Sequence, residues 1–170
     1  MKNFGKFAAL LFLVSFAINA TAKEEHLLFS LGLEWNPVRS PDTPKSTVLE
    51  LIRAGDDINN WKELVTVQNF AKSRNYRHPA ETLDALKEVR EKTCPGVTEW
   101  TVIDQSEDSI LYEWHAKECQ GEPEQHEVAR ILYGKHNVFF LHYAAKVHEL
   151  APETREKWIK KFSSVSIETK

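Results

Sequence analysis

Residues 110–147 read ILYEWHAKECQGEPEQHEVARILYGKHNVFFLHYAAKV, and this stretch decides the fold. β-branched and aromatic residues dominate three segments, Ile110 to Lys117, Glu127 to Tyr133 and Val138 to Val147. Such segments favour β-strands, whose side chains point alternately to the two faces of a sheet. Gly134 to Asn137, between the last two segments, is typical of a hairpin turn. We therefore expect an antiparallel sheet here.

The flanking sequence predicts two helices and further strands. Pro79 to Thr93 begins with a proline, which the first helical turn tolerates, and ends before Pro95-Gly96. Pro152 to Val165 places its aromatic residues on one face and Glu–Lys pairs on the other. The predicted fold class is α+β, an antiparallel sheet with a central helix and a C-terminal helix packed on it. The remaining predicted strands are Thr47 to Ala54, Leu64 to Phe70 and Val97 to Asp104.

Residues 1–22 have the pattern of a secretory signal peptide. Lys2 and Lys6 give a positive start, and the apolar run Phe7 to Ile18 is shorter than the roughly 20 residues of a membrane span. Ala20-Thr21-Ala22 supplies the small residues of a cleavage site. The sequence therefore predicts a periplasmic or secreted protein, without a stable membrane span after cleavage. The alternative is a short N-terminal anchor helix.

The mature chain is expected to form one domain with an N-terminal extension. Residues 23–46 are predicted to hold a strand and a proline-rich loop, with the loop over Asn36 to Lys45, because proline removes amide donors and fixes φ. Residues 47–170 are predicted to form a single α+β domain.

Composition excludes several classes of function. The 170 residues carry a formal net charge of −3, which argues against a nucleic-acid binder that uses a basic surface. The seven histidines form neither HExxH nor HxH, so no metal site is predicted. Neither a GxSxG motif nor a glycine-rich phosphate loop occurs, and no cofactor is expected.

Cys94 and Cys119 are the two cysteines of the chain. In an exported protein two thiols are expected to pair, which would tie the end of the first helix to the sheet. The alternative is a redox-active pair or a thiolate nucleophile, although the CxxC spacing of redox sites is absent.

Three polar residues mark the candidate site. Alternation puts Glu113, Arg130 and His142 on one predicted sheet face, opposite the face of Ile131 and Leu141. If they converge, a carboxylate, a guanidinium and an imidazole can orient an anionic ligand or perform acid–base chemistry. The structural alternative is a half-buried salt bridge beside a hydrogen-bonded histidine.

Two tryptophans lie beside predicted loops. Trp35 and Trp61 are therefore candidates for lining a ligand groove. The alternative is that both rings anchor their loops to the core.

The order of elements resembles the PsbP-like α/β sandwich over roughly residues 47–167. The stretch Tyr112 to Gly121, followed by Glu127 to Arg130, also resembles small uncharacterised envelope proteins of Gram-negative bacteria. The resemblance implies an accessory or binding role, and it transfers no catalytic residue because no diagnostic motif matches.

The leading functional prediction is a soluble exported accessory or binding protein. Its partner would be an envelope or extracellular protein or a small ligand, and not a nucleic acid. One alternative is a small hydrolase that uses Glu113, Arg130 and His142. Another is a secreted effector or inhibitor.

Overall fold

A computed structural model describes residues 24–39, 46–72 and 78–169. The predicted signal peptide and its cleavage site lie outside the described residues, as does the part of the proline-rich loop from 40 to 45. The protein is α+β, as predicted, with two helices and mostly antiparallel sheet in these ranges.

Seven strands form one antiparallel sheet. Their bounds are Trp35–Arg39 (β2), Ser46–Arg53 (β3), Glu63–Ala71 (β4), Thr98–Gln105 (β5), Ser109–Ala116 (β6), Gln125–Tyr133 (β7) and Asn137–Ala145 (β8). Their order in the sheet is β2-β3-β4-β8-β7-β6-β5. The predicted hairpin is confirmed, because β7 and β8 pair on either side of residues 134–136. A 3-10 turn, Ile58–Asn60, lies between β3 and β4.

The two helices cover opposite faces of this sheet. Helix α1, Pro79–Thr93, places Leu83 among Ile110 and Ile131, so we call this side the α1 face. Helix α2, Pro152–Ser163, packs Trp158 and Phe162 on the other side, the α2 face. Burial on both faces explains why β8 is mostly apolar, with Asn137 and His142 as its strongly polar residues.

The N-terminal segment is part of the same structure. Strand β1, Glu25–Leu28, pairs antiparallel with a final strand β9, Ser166–Thr169, which the sequence did not predict. Strand β2 occupies residues that were predicted as loop, and that prediction is wrong for 36–39. Pro37 is tolerated because β2 lies at the edge of the sheet.

Glu25 fixes this segment to the β7–β8 hairpin. Its carboxylate accepts hydrogen bonds from the backbone N–H groups of Lys135 (2.6 Å), His136 (2.9 Å) and Asn137 (2.9 Å). Burial acts to raise the pKa of Glu25, but these three donors outweigh it and hold the pKa below its ordinary value.

Cys94 and Cys119 form the predicted disulfide, with their Cα atoms 6.0 Å apart. Cys94 follows the last residue of α1, and Cys119 lies in the connection between β6 and β7. The bond therefore holds the end of α1 beside the sheet.

Candidate functional site

The sheet register separates His142 from Glu113 and Arg130. Glu113 lies opposite Val128, and Arg130 lies opposite Leu141, all on the α2 face. His142 lies opposite Ala129, on the α1 face. The predicted convergence of the three side chains is therefore wrong.

The physical reason is the register of the β7–β8 hairpin. Tyr133 pairs with Val138, and this register sets which residues of β8 share a face with β7. Both faces of β8 are buried and apolar, and alternation of hydrophobicity could not reveal the correct parity.

Glu113 is buried under α2 and forms an ion pair with the partly exposed Arg155 of that helix. Its two carboxylate oxygens accept from Nε (2.7 Å) and Nη2 (2.8 Å) of Arg155, and Nε2 of His126 lies 3.5 Å away. Burial acts to raise the pKa of Glu113, but the bonds from Arg155 outweigh it and keep the pKa low. Because Glu113 and His142 lie on opposite faces of the sheet, they do not form the site that the hydrolase alternative requires.

Arg130 binds the C-terminal end of α2. Its guanidinium donates to the carbonyl oxygens of Phe162 (2.6 Å), Ser163 (3.1 Å) and Val165 (3.0 Å), and to Oγ of Ser109 (3.2 Å). Carbonyl groups at the end of a helix lack amide donors from a following turn, and a cation here also interacts favourably with the helix dipole. Arg130 therefore stabilises the helix end.

The two tryptophans have different surroundings. Trp35 is 6% exposed, and its ring packs edge-on against Tyr143 and Trp158 in the core. Trp61 is half-buried, with Nζ of Lys146 at 4.4 Å from its ring centroid. Trp35 thus serves packing, while Trp61 contacts Lys146, which lines a cleft that Trp61 itself does not line.

His142 meets a residue that the sequence analysis missed, Glu127. Nδ1 of His142 lies 2.8 Å from Oε1 of Glu127, and Nε1 of Trp114 donates to the same oxygen over 3.0 Å. Because a carboxylate oxygen only accepts, Nδ1 of His142 carries the proton, and in the neutral imidazole Nε2 is an acceptor. The sequence did contain a signal for this residue. Strand alternation places the glutamate on the same predicted buried face as Ala129 and Ile131.

Cross-strand pairing builds this site on the α1 face. Trp100 lies directly opposite Trp114, and Trp114 lies directly opposite Glu127. The ring centroids of the two tryptophans are 5.7 Å apart, and Trp100 lies 5.9 Å from Tyr112. Neighbouring strands thus present a continuous aromatic surface that ends at the carboxylate of Glu127.

A groove of about 400 Å³ lies between this surface and helix α1. Leu86 and Arg90 line it from the helix, and Trp100, Tyr112, Glu127 and His142 line it from the sheet. Its volume falls in the range of small-molecule sites, which are largely apolar with a few convergent polar groups. We call it the aromatic groove.

Arg90 joins the helix to the sheet beside this groove. Its Cζ lies 5.1 Å from the ring centroid of Trp114, its Nη1 donates to Glu122 (3.1 Å), and its Nε donates to Oγ1 of Thr98 (3.3 Å). Together with the disulfide, these contacts hold α1 in place along the groove.

A second cleft, of about 560 Å³, lies on the α2 face. Three of its polar groups bind one another, since both Arg53 and the hydroxyl of Tyr143 donate to Glu63. Burial and the bond to Glu63 raise the pKa of Tyr143 far above its ordinary value. These groups are therefore engaged in holding β3, β4 and β8 together.

In the described ranges, no three histidine, cysteine, aspartate or glutamate side chains lie close enough to hold a metal ion. The same parts of the chain contain no helix with the length and apolar character to cross a membrane.

Comparison of the sequence with protein-family models and with curated proteins finds no match.

Proposed function

We propose that this chain is an exported binding protein that holds a small ligand in the aromatic groove. The observation that carries the proposal is the hydrogen-bonded pair of Glu127 and His142 at the end of an aromatic surface, beside open volume. An aromatic wall with few oriented polar groups is the usual composition of a ligand site.

The polar residues of the α2 face differ from those of the aromatic groove, and this difference also favours the groove as the binding site. Glu113 is paired with Arg155, and Arg130 is bonded to helix carbonyls. Both side chains are engaged in structural contacts, whereas Nε2 of a neutral His142 is a hydrogen-bond acceptor on a residue that lines the groove.

Export is supported by the leader-like residues 1–22 and by the disulfide, which is typical of proteins in oxidising compartments. Fractionation of cells that express the whole chain tests it. We expect the processed protein in the periplasm or the medium, and recovery of the unprocessed chain in the cytosol contradicts export. Appearance in the medium alone favours the secreted effector or inhibitor over a resident envelope protein.

The binding test uses N-phenyl-1-naphthylamine, a neutral fluorophore whose emission rises in apolar sites. We expect saturable binding by the wild type, about tenfold weaker binding by Trp100→Leu because one aromatic wall is lost, and unchanged binding by Trp61→Leu. Trp61 is the matched control, because it is also half-buried but does not line the groove. Equal affinity in all three proteins contradicts the proposed site.

A second candidate function is general-base catalysis. A carboxylate that orients an imidazole through Nδ1 leaves Nε2 able to take a proton from water, which favours hydrolysis. The test is release of nitrophenol from p-nitrophenyl acetate. We expect His142→Gln to abolish the pH-dependent part of any catalysed rate, and a rate equal to the buffer blank excludes this candidate.

A further inference from the structure

The described residues include three buried glutamates, and the cost of burying each carboxylate is offset by a different set of partners. Glu25 accepts three backbone N–H bonds, and Glu113 accepts two bonds from Arg155. Glu127, which is 8% exposed, receives bonds from the indole of Trp114 and the imidazole of His142, and both reach Oε1. No lysine or arginine in the described part of the chain forms an ion pair with Glu127.

A buried carboxylate is costly unless a countercharge or several donors compensate it. Both of these bonds reach Oε1, so Oε2 of Glu127 can accept a hydrogen bond from a further donor. The partner that the fold supplies to Glu113 is therefore missing at Glu127, and Glu127 lines an open groove.

Arg90, a cation that lines the groove, does not supply the missing charge. Arg90 is neutralised by Glu122, with 3.1 Å between Nη1 and Oε2. Glu127 therefore leaves the groove with one negative charge when His142 is neutral, and this charge lies beside three aromatic rings.

Aromatic faces attract cations, because the electron density of the ring is negative above its plane. The structure already contains one example, since the guanidinium of Arg90 lies over Trp114. The neighbouring rings of Trp100 and Tyr112 also line the groove. A carboxylate at the end of such a surface is complementary to a positively charged group carried on a small apolar skeleton.

We infer that the aromatic groove binds a small organic ammonium ion, with its charge against Glu127 and its apolar part against Trp100 and Tyr112. This inference rests on the proposed function, because it names the class of ligand for that same groove. The volume of about 400 Å³ accommodates a small molecule rather than a folded partner.

The experiment compares choline with 3,3-dimethylbutan-1-ol, which has the same shape but no charge. Isothermal titration of the wild-type protein is expected to give at least about tenfold tighter binding of choline, because only choline combines the cation–π and carboxylate contacts. This comparison needs no variant, so that loss of folding cannot obscure it.

Glu127→Gln provides the second arm. We expect it to weaken choline about tenfold and to leave the neutral alcohol unchanged, so that the preference disappears. Glu99→Gln is the matched control, because Glu99 precedes Trp100 on β5 but lies opposite His115 on the other face. It should bind choline as the wild type does.

The outcomes separate the two proposals. Equal affinity for choline and the alcohol overturns the ammonium class, and a preference that survives Glu127→Gln overturns the placement of the charge against Glu127. In both cases the groove remains a ligand site. If choline does not bind but N-phenyl-1-naphthylamine binds saturably and depends on Trp100, the ammonium class is overturned and the groove remains a ligand site. Absence of all binding overturns both proposals.

Discussion

Cys94 and Cys119 join the end of α1 to the connection between β6 and β7. The helix that lines the aromatic groove is therefore covalently fixed to the sheet beneath it. At this end, helix α1 cannot move away from the sheet unless the disulfide is broken or the protein unfolds.

Removal of this bond should lower stability substantially. The double variant Cys94→Ser, Cys119→Ser opens a loop with a sequence separation of 25 residues, which corresponds to about 3.5 kcal/mol of loop entropy in the unfolded chain. Urea unfolding of the double variant and the oxidised wild type measures the difference. A loss below about 1 kcal/mol contradicts this account, and addition of reductant should bring the wild type to the value of the variant.

Replacement of Arg130 should destabilise α2. Arg130→Ala removes the donors to three carbonyl oxygens at the helix end, with an expected loss of about 2–4 kcal/mol in the free energy of unfolding. Arg130→Lys keeps the charge but not the planar fork, and should recover only part of the loss. Lys135→Ala, at an exposed position in the nearby hairpin, is the control and should change stability by less than about 0.5 kcal/mol.

Glu25→Gln tests whether the N-terminal segment contributes to stability. The glutamine amide keeps one acceptor oxygen but brings an N–H₂ group towards the three backbone N–H donors. We therefore expect the free energy of unfolding to fall by about 1–3 kcal/mol. The neighbouring Glu24→Gln is the matched control, because that side chain is 83% exposed. Equal unfolding curves for both variants would show that Glu25 does not fix β1 to the hairpin.

The same carboxylate gives a pH dependence of known sign. The pKa of Glu25 is lowered in the folded state, so its contribution is complete above the ordinary value of 4.5 and is lost as the pH falls through the folded pKa. The difference in stability between the wild type and Glu25→Gln should therefore shrink in strong acid.

His126 should make the protein less stable in mild acid. It is 5% exposed, and its Nδ1 accepts the backbone N–H of Leu150 (3.0 Å), which only a neutral ring nitrogen can do. Burial lowers the pKa of His126 below its ordinary value of 6.5, although Glu113 acts in the opposite direction. His115 and Arg155 also lie close and oppose a positive charge on the ring.

The sign of the effect follows from proton binding. As the pH falls below 6.5, the unfolded chain binds a proton at His126 before the folded chain does, so the free energy of unfolding decreases. Urea unfolding from pH 7.5 to 5 measures this decrease, which His126→Gln should reduce and His136→Gln, at an exposed position, should not. An unchanged slope in His126→Gln contradicts the assignment.

Local sequence signals predicted most elements of this fold. Pro79 and Thr93 bound α1 in both the prediction and the structure, because a proline start and a Pro-Gly stop act within a few residues. The disulfide was predicted for a similar reason, since two cysteines in a chain with a predicted leader have one possible intramolecular partner each.

Features that depend on long-range register were not predictable in this way. The face of His142 depends on how β8 pairs with β7, and both faces of β8 are equally apolar. The pairing of β1 with β9 joins residues from the two ends of the chain, where four-residue strands carry a weak local signal. Glu127 was not predicted as a site residue, because its partners Trp114 and His142 lie on neighbouring strands and are identified only in the folded structure.

The pairing of Glu25 with Thr169 brings the two ends of the described chain side by side. Leu27 and Ile167 from these strands pack towards α2, so both ends lie on the side of the sheet away from α1. A short linker between them would yield a circular permutant, with new termini placed in an exposed turn such as Gly55. Attachment of the protein to a solid support through either end would likewise leave the aromatic groove facing the solution.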